Sequence, residues 1–493
     1  MSDQQLPQSA QSTEAELIAI RREKLAKLRK LGIDPYGSRF TTTHTPGGLR
    51  EEFTEGMQVS VAGRIMGLRD MGRSVFFHLG DARGTIQGYL ATKALDENQL
   101  AAWRCIDRGD WIGLTGETFL TKTGEPTIKV DSFTVLSKSL RPMPDKFHGL
   151  ADRETKYRKR HLDLIGNSDS AALFVTRSLM LAEIRSFLQN RDFLEVATPM
   201  LQDVAGGAAA RPFETFHNAL GMPLTLRIAP ELFLKRLLVG GFTKIFELNR
   251  NFRNEGISRR HNPEFTMLEA YMAYADFEQM AELVEEMTCH LAQKFCGGLK
   301  IEHKDEEGNT IRTIDLTRPW RRENYHDLVK RAAGDDFFDI NPTQRRERCE
   351  QMGVQISPEM EDYEVIQQVF EKKVEEHTFD PCFVLRVPSE LIPLAKLSTG
   401  GRTVEVYELI INGQEISPGY SELNDPDVQR ERLEHQAGGE EEQKVDYDFI
   451  ETLEHGMPPA GGIGIGIDRL VMMLTGKPTI RDVVLFPLLK RRD

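Results

Sequence analysis

Several features that would place a chain in a membrane or an oxidising compartment are missing from this sequence. No apolar run approaches the ~20 residues needed to span a bilayer. The opening MSDQQLPQSAQSTEAE is polar, without the apolar core of a signal peptide. The five cysteines (Cys105, Cys289, Cys296, Cys349 and Cys382) form no CxxC pair and show no metal-ligand spacing. An odd, scattered set reads as reduced thiols, which excludes a disulfide frame and a zinc site. There is no internal repeat and no long low-complexity tract. The expectation is a soluble cytoplasmic protein whose 493 residues, 40% hydrophobic, suffice for two or three cores.

Net positive charge is also lacking. A formal charge of −13 argues against indiscriminate nucleic-acid binding. Its distribution leaves room for a specific one, because only contacted phosphates need neutralising. Six Lys/Arg fall between Arg21 and Lys30, and Lys156, Arg158, Lys159 and Arg160 cluster later. Either patch is equally well a solvated helix face.

What is present falls into three stretches: an N-terminal extension (1–56), a strand-rich region (57–144) and a large remainder (145–493). Residues 14–33 have the pattern of an amphipathic helix, with Leu17, Ile20, Leu28 and Leu31 on one stripe and Gly32 at its end. VSVAGRIMGLRD, SVFFHLGDARGTIQGYL, WIGLTGETFLT and TIKVDSFTVLS are short β runs separated by glycine turns, as in a small barrel. Arg141-Pro-Met-Pro144 reads as a linker. Helical periodicity returns at 170–190, residues 280–380 are charge-rich and helical without recognisable chemistry, and a strand-rich region at 382–423 precedes a glycine-rich strand and helix at 461–475. Hairpin-forming strands with helices around them predict an α+β fold on a large antiparallel sheet.

KIFELNRNFRNEG read at period two sends Ile245, Glu247, Asn249, Asn251, Arg253 and Glu255 one way and Phe246, Leu248 and Phe252 the other. The loop ISRRHNP carries Arg259, Arg260 and His261. The return strand EFTMLEAYMAY puts Phe265, Met267, Glu269 and Tyr271 on one face. An open sheet face with an arginine, carboxylates, a ring and a cationic loop suits a nucleotide, since arginine matches phosphate bidentately and a ring can stack on a base. The plainer alternative is a half-solvated hairpin with a salt-bridged surface. In VYELIINGQEIS, Asn412-Gly413 is a strong two-residue turn signal. It pairs Ile411 with Gln414 and Ile410 with Glu415, so Glu408 and Glu415 become diagonal neighbours on one side. Two such carboxylates make a seat for magnesium beside a polyphosphate, or simply an acidic surface.

Phe252-Arg253-Asn254-Glu255 followed by Arg260-His261-Asn262-Pro263-Glu264-Phe265 resembles motif 2 of the class II aminoacyl-tRNA synthetases. RSLMLAEIRSFLQNRDFLEVATPML resembles motif 1, and GIGIGIDRLVMML, with Arg469, resembles motif 3. That glycine-rich strand alone could pass for a dinucleotide loop, but no βαβ unit follows it. The barrel is similar to the OB-fold anticodon-binding domain of the aspartyl/asparaginyl/lysyl subgroup, so the resemblance covers roughly residues 15–490. It implies ATP-dependent amino-acid activation with Mg2+ at Glu408 and Glu415, transfer to tRNA, and a homodimer built through the region near 174–200.

Within the subgroup, RIAPELFLK places Glu231 where similar aspartyl enzymes carry glutamine, and YSELND supplies Glu422. The chain therefore resembles the bacterial-type lysyl-tRNA synthetases, which implies tRNA(Lys), ATP and L-lysine as partners. By that resemblance Glu231 and Glu422 hold the substrate ε-ammonium with Tyr271, while Gly207, Glu269 and Tyr420 complete the pocket. Glu231 at the start of a helix after Pro230 could alternatively be a plain helix-terminal carboxylate. Paired carboxylates in a closed pocket repel, so a bound cation is required. Straight-strand parity would put Glu422 opposite Glu415, which predicts a bulge or bend at Pro418-Gly419. Pro418 departs from the asparagine of many similar enzymes, and Ser417 or the loop near Gly207 is expected to take its part.

The resemblance further implies Arg253 on the α-phosphate, Arg260 and His261 on the outer phosphates, Arg469 on the γ-phosphate and far side of adenine, and Phe265 stacked on the near side. Glu255 and Glu269 would position ATP and the substrate amine. In the barrel, Phe76 and Phe77 must face opposite sides. Phe76 is the expected base-stacking platform, with Gln87 and Arg64 nearby. The rival readings are an aspartyl- or asparaginyl-type enzyme, a non-catalytic RNA-binding relative, and a lysine ligase acting on protein.

Overall fold

The computed structural model describes residues 13–143, 152–208, 210–305, 307–436 and 445–490. Pro144 of the expected linker and the polar N-terminal stretch before Thr13 lie outside the described residues. Two compact units, Met1–Val175 and Thr176–Asp493, divide the chain. No helix among the described residues is long and apolar enough to cross a membrane.

In the first unit Thr13 caps helix α1 (Glu14–Lys30), and Glu16 returns the bond to the Thr13 N–H. The buried stripe is Arg21, Leu25 and Leu28, whereas Ile20 is exposed, contrary to the periodicity reading. The reason is polar. Arg21 donates to the carbonyls of Ser139, Arg141 and Arg108, so one member of the N-terminal basic patch is a structural cross-link. Arg160 of the second patch is likewise buried and paired with Asp163 at 2.8 Å.

Strands β1 (Gln58–Asp70), β2 (Ser74–Gly80), β3 (Thr85–Ala91), β4 (Trp111–Leu120) and β5 (Pro126–Ser137) close a barrel in the order β1-β2-β3-β5-β4. Alternation fills it: Val59, Val61, Ile65, Val75, Phe77, Leu79, Ile86 and Leu90 point inward. This is the expected OB-type barrel.

The second unit includes most of helix α2 (Ser168–Gln189) and carries β6 (Leu194–Glu195), helix α3 (Glu231–Val239), β7 (Lys244–Phe252), β8 (Glu264–Ala273), helix α4 (Phe277–Cys296), β9 (Arg321–Asn324), β10 (Cys382–Leu385), β11 (Val406–Ile411), β12 (Gln414–Ser421), β13 (Ala460–Gly466) and helix α5 (Ile467–Thr475). Eight strands form one sheet ordered β9-β10-β11-β12-β13-β8-β7-β6. The centre is antiparallel as expected, but both edges are parallel pairs, β6 with β7 and β9 with β10. Residues 280–380 are also not purely helical. They supply a hairpin (Lys300–Lys304 and Thr310–Asp315) and β9, and their helices build a core with β10 and β11.

Arg227 is among the largest side chains fully buried in this unit. Its Nη1 lies 2.7 Å from Glu247 Oε1 and donates to the Thr198 carbonyl, while Nε donates to the Arg250 carbonyl. Removing one partner of such a pair leaves the other charge buried and uncompensated. Arg227→Met should therefore cost about 3–5 kcal/mol in urea unfolding. A loss within error of zero would contradict a stabilising role for the pair.

Candidate active site

The β7–β8 register pairs Ile245 with Tyr271, Glu247 with Glu269, Asn249 with Met267 and Asn251 with Phe265. The two period-two readings therefore coincide on one face. That face is not open, however. Glu247, Asn249 and Asn251 are buried, and Glu247 accepts from the Thr198 N–H and hydroxyl as well as from Arg227. It forms a floor, and the cleft lies toward the loop end of the hairpin, from Met267 and Phe265 to the 253–263 loop.

There Arg253, Glu255, Arg260, His261, Phe265, Glu415, Pro418 and Arg469 line one cavity. The Arg253 guanidinium lies 5.2 Å from the Phe265 ring centroid, and its buried Nε has no hydrogen-bond partner. Burial lowers the Arg253 pKa, with Glu255, Glu415 and Glu269 opposing. A desolvated guanidinium with an unused donor favours an incoming anion. Arg469 donates through Nη1 to the Glu415 carbonyl and through Nη2 to His261 Nε2, each at 2.9 Å. With Nε2 accepting, Nδ1 carries the proton toward Ser258 Oγ at 2.8 Å. Burial first, then Arg469, Arg260 and Arg253, depress the His261 pKa. His261 is therefore a neutral hydrogen-bonding group, not the loop cation expected from sequence.

Asn412 and Gly413 both adopt positive φ, 57° and 69°, as a two-residue hairpin turn demands. Ile411 pairs with Gln414 and Ile410 with Glu415, and the register then slips so that Leu409 faces Ser417 and Glu408 faces Pro418. The bulged residue is Ile416, two positions before the Pro418-Gly419 site predicted. The consequence is the one required. Glu408, Glu415, Pro418, Tyr420 and Glu422 share a face. Ser417 lies on the other, fully buried, with its hydroxyl donating to the Pro418 carbonyl at 3.4 Å, so it cannot stand in for the missing asparagine. Gly207, at φ 86°, instead shares a cavity with Glu408, Glu415, Pro418 and Tyr420.

Glu408 is pushed well above the carboxylate range by burial, then by Glu415, Glu375 and Glu371. Glu375 accepts the Glu415 N–H at 3.0 Å and is pushed up to about 7, by burial and then Glu415. The helical segment thought chemically silent thus contributes Glu371 and Glu375. Among the described residues no three His, Cys, Asp or Glu side chains converge on a metal position. Glu408 and Glu415 could hold a cation only with ligands from elsewhere, such as phosphate oxygens and water. Their mutual repulsion fits one.

On the same face of the sheet Glu269 and Glu422, with Glu231 of α3 beside them, are buried around Tyr271 and Tyr420. Tyr420 donates to Glu231 Oε1 at 2.9 Å and Tyr271 to Glu269 Oε2 at 3.1 Å. Sequence reading missed the central group. Lys235 Nζ lies 2.7 Å from Glu231 Oε1 and 2.5 Å from Glu422 Oε2. The carboxylates therefore do not require an external cation, because α3 supplies one a helical turn beyond Glu231. The Glu231–Lys235 spacing was available as a signal. Burial alone would lower the Lys235 pKa, but Glu231 and Glu422 raise it. Glu422 is pushed up to about 8 by burial and Glu231 against the pull of Lys235, and its Oε1 has no hydrogen-bond partner. Glu269 is pushed well up by burial and Glu231.

In the barrel, Phe77 is core and Phe76 faces outward, 5.1 Å from Tyr89, which in turn meets Phe119 at 6.2 Å. Phe76 and Gln87 line one groove, but Arg64 does not join them. A slip at Met66 shifts the register, and Arg69 faces Phe76 instead. Arg64 sits over Trp111 and donates to the Gly109 carbonyl.

Residues 152–490 match the family of class II tRNA synthetases (D, K and N), and residues 59–136 match the OB-fold nucleic acid binding domain. The chain belongs to the class II aminoacyl-tRNA synthetases of this group. A lysine–tRNA ligase of Carboxydothermus hydrogenoformans is 48% identical over 97% of this chain and 99% of its own. Lysine–tRNA ligases of Pelotomaculum thermopropionicum, at 47% over 97% and 96%, and Staphylococcus epidermidis, at 46% over 96% and 98%, are similar throughout.

Gly462 makes room for the Glu422–Tyr271 cluster. A Cβ there would stand 1.9 Å from Glu422 Oε1 and 2.7 Å from the Tyr271 ring. Gly462→Ala should destabilise the ligand-free protein by about 1–3 kcal/mol through overpacking. Unfolding at the wild-type midpoint would show that Glu422 can move aside freely.

Proposed function

We propose that the chain is a lysine–tRNA ligase, which activates lysine with ATP to lysyl-adenylate and pyrophosphate and transfers the lysyl group to the 3′ end of tRNA(Lys). The observation that carries the choice of amino acid is the buried Glu231–Glu422 pair with Glu422 Oε1 unpartnered. An aspartate side chain entering there would meet carboxylates. The names and near-complete overlap of the relatives support the same reading.

No protein nucleophile is needed. The lysine carboxylate attacks the α-phosphorus, and catalysis consists of alignment and charge stabilisation. Arg253 takes the α-phosphate and Phe265 the adenine. Arg260 and Arg469 take the outer phosphates, with His261 Nε2 accepting from Arg469 to orient it. Glu255 positions ATP. Glu231, Glu422 and Tyr420 hold the side-chain end of lysine, Tyr271 and Glu269 close the pocket, and the Gly207 loop faces its backbone end. Magnesium seated at Glu408 and Glu415 supplies neutralisation of the polyphosphate when bound. Phe76 and Gln87 read the anticodon. Exposed Leu179, Leu194, Met200 and Leu201 support a homodimer through the region near 174–200. The expected location is the cytoplasm.

ATP–pyrophosphate exchange tests the assignment. Lysine should drive exchange while aspartate and asparagine do not, and exchange with aspartate alone would end it. Arg253→Ala should lower exchange by about 10²–10³-fold, the usual effect of losing one donor to a developing charge. Wild-type rates in that variant would remove Arg253 from the mechanism.

Lysine binding should also depend on pH. Glu422, at about 8, carries its proton in the free pocket at neutral pH and must lose it to receive an ammonium. Below that value binding works against protonation, and above it the carboxylate is ready. The lysine KM should fall by about tenfold or less per unit from roughly pH 6 toward pH 8, with proton release on binding seen by calorimetry in buffers of different ionisation enthalpy. A flat profile without proton release would contradict it.

A further inference from the structure

The lysine reading leaves Lys235 unexplained. A buried lysine between two carboxylates is not needed for folding as such, since replacing a buried ionic cluster by apolar side chains is often neutral or stabilising. Its position is nonetheless tightly specified. The side chain of Lys235 is completely buried, it lies one turn beyond Glu231 on α3, and helical side chains point back toward the N-terminus. Nζ therefore reaches Glu231 Oε1, which also accepts from Tyr420, and Glu422 Oε2 from the opposite side. Nζ stands 5.7 Å from the Tyr420 ring centroid. Neither Glu422 oxygen has a hydrogen-bond partner, and Lys235 Nζ ion-pairs with Oε2, which leaves Oε1 facing no protein cation among the described residues.

We propose that Lys235 is a specificity-determining residue, a resident ammonium that leaves the pocket with charge and acceptor capacity for one further ammonium. This rests on the reading of Glu231 and Glu422 as the lysine side-chain site. In the loaded pocket two carboxylates face two ammoniums, Lys235 and the substrate's, and the buried cluster is neutral. Glu269, which accepts from Tyr271, is pushed toward its neutral form by burial and Glu231 and so adds little to that balance. A neutral side chain of similar length would leave one carboxylate uncompensated in a site closed to water. The negative charge that selects lysine is thus set by three residues on two elements, not by the carboxylates alone.

The arithmetic of charge makes an unusual prediction. Glu422→Gln leaves Glu231 facing two ammoniums when lysine binds, an uncompensated buried positive charge. Removing Lys235 as well, in Lys235→Met/Glu422→Gln, returns one carboxylate to one ammonium. In lysine-dependent ATP–pyrophosphate exchange the full-length double variant should have a lysine KM lower than Glu422→Gln by about fivefold or more, with the ATP KM of the two within about twofold. Both changes are close to isosteric, and folding is checked by thermal unfolding. A double variant with a lysine KM equal to or above that of Glu422→Gln would overturn the proposal. So would a double variant that fails to fold beside a folded Glu422→Gln, because Lys235 would then be structural. If Glu422→Gln itself keeps the wild-type lysine KM, the lysine-site reading fails instead, and the proposal falls with it for that separate reason.

Discussion

Like charges brought together under an apolar roof are the constraint from which most of this site follows. One face of the eight-stranded sheet carries Glu247, Glu269, Glu408, Glu415 and, just past β12, Glu422, with Glu231 beside them on α3. Each is met differently. Glu247 is matched by Arg227 and Glu231 and Glu422 by Lys235, while burial and Glu231 push Glu269 toward its neutral form. Among the described residues Glu408 and Glu415 form no ion pair, Arg253 acting on Glu415 only at longer range and Arg469 reaching the Glu415 carbonyl and not its carboxylate. The distribution of compensation distinguishes a structural carboxylate from one waiting for a ligand better than burial does.

Much of this was legible because it depends on short-range rules. Asn412-Gly413 fixed a hairpin, and the hairpin fixed Glu408 beside Glu415. Alternation in the 245–271 segment gave the correct face for Phe265, Glu269 and Tyr271, and the barrel followed from its strand runs. What failed was what depends on a partner strand or on burial. The β12 bulge is a property of the β11–β12 register, so the nearby Pro and Gly pointed close to Ile416 but not at it. Arg64, placed by resemblance and not by pairing, stands opposite Gly80, four residues from Phe76 along β2. His261 and the polar sheet face were misread for lack of solvent information. Lys235 was missed although its spacing from Glu231 was visible, because a lysine inside an apolar helix reads as a surface residue.

Pro418 illustrates how a local departure is absorbed. A proline inside a sheet is tolerated where the strand lacks a partner on one side. The pairing of β12 with β13 begins only at Gly419, and Pro418 stands before it, opposite Glu408. Its ring borders both the cavity lined by Arg253 and Arg469 and the cavity shared with Gly207. The residue that costs the site an amide side chain also stiffens the junction between its two halves.

That junction is held through the backbone. The Glu415 N–H goes to Glu375 and its carbonyl to Arg469, whose other nitrogen reaches His261 across the cleft. Fixing a residue by both main-chain groups leaves its carboxylate without protein ties, which suits a group meant for an outside ligand. It also means that Arg469 belongs to the His261 loop and to the Glu415 strand at once. A phosphate that drew Arg469 away from His261 would shift the support of Glu415, so the two halves of the site are coupled by a single guanidinium.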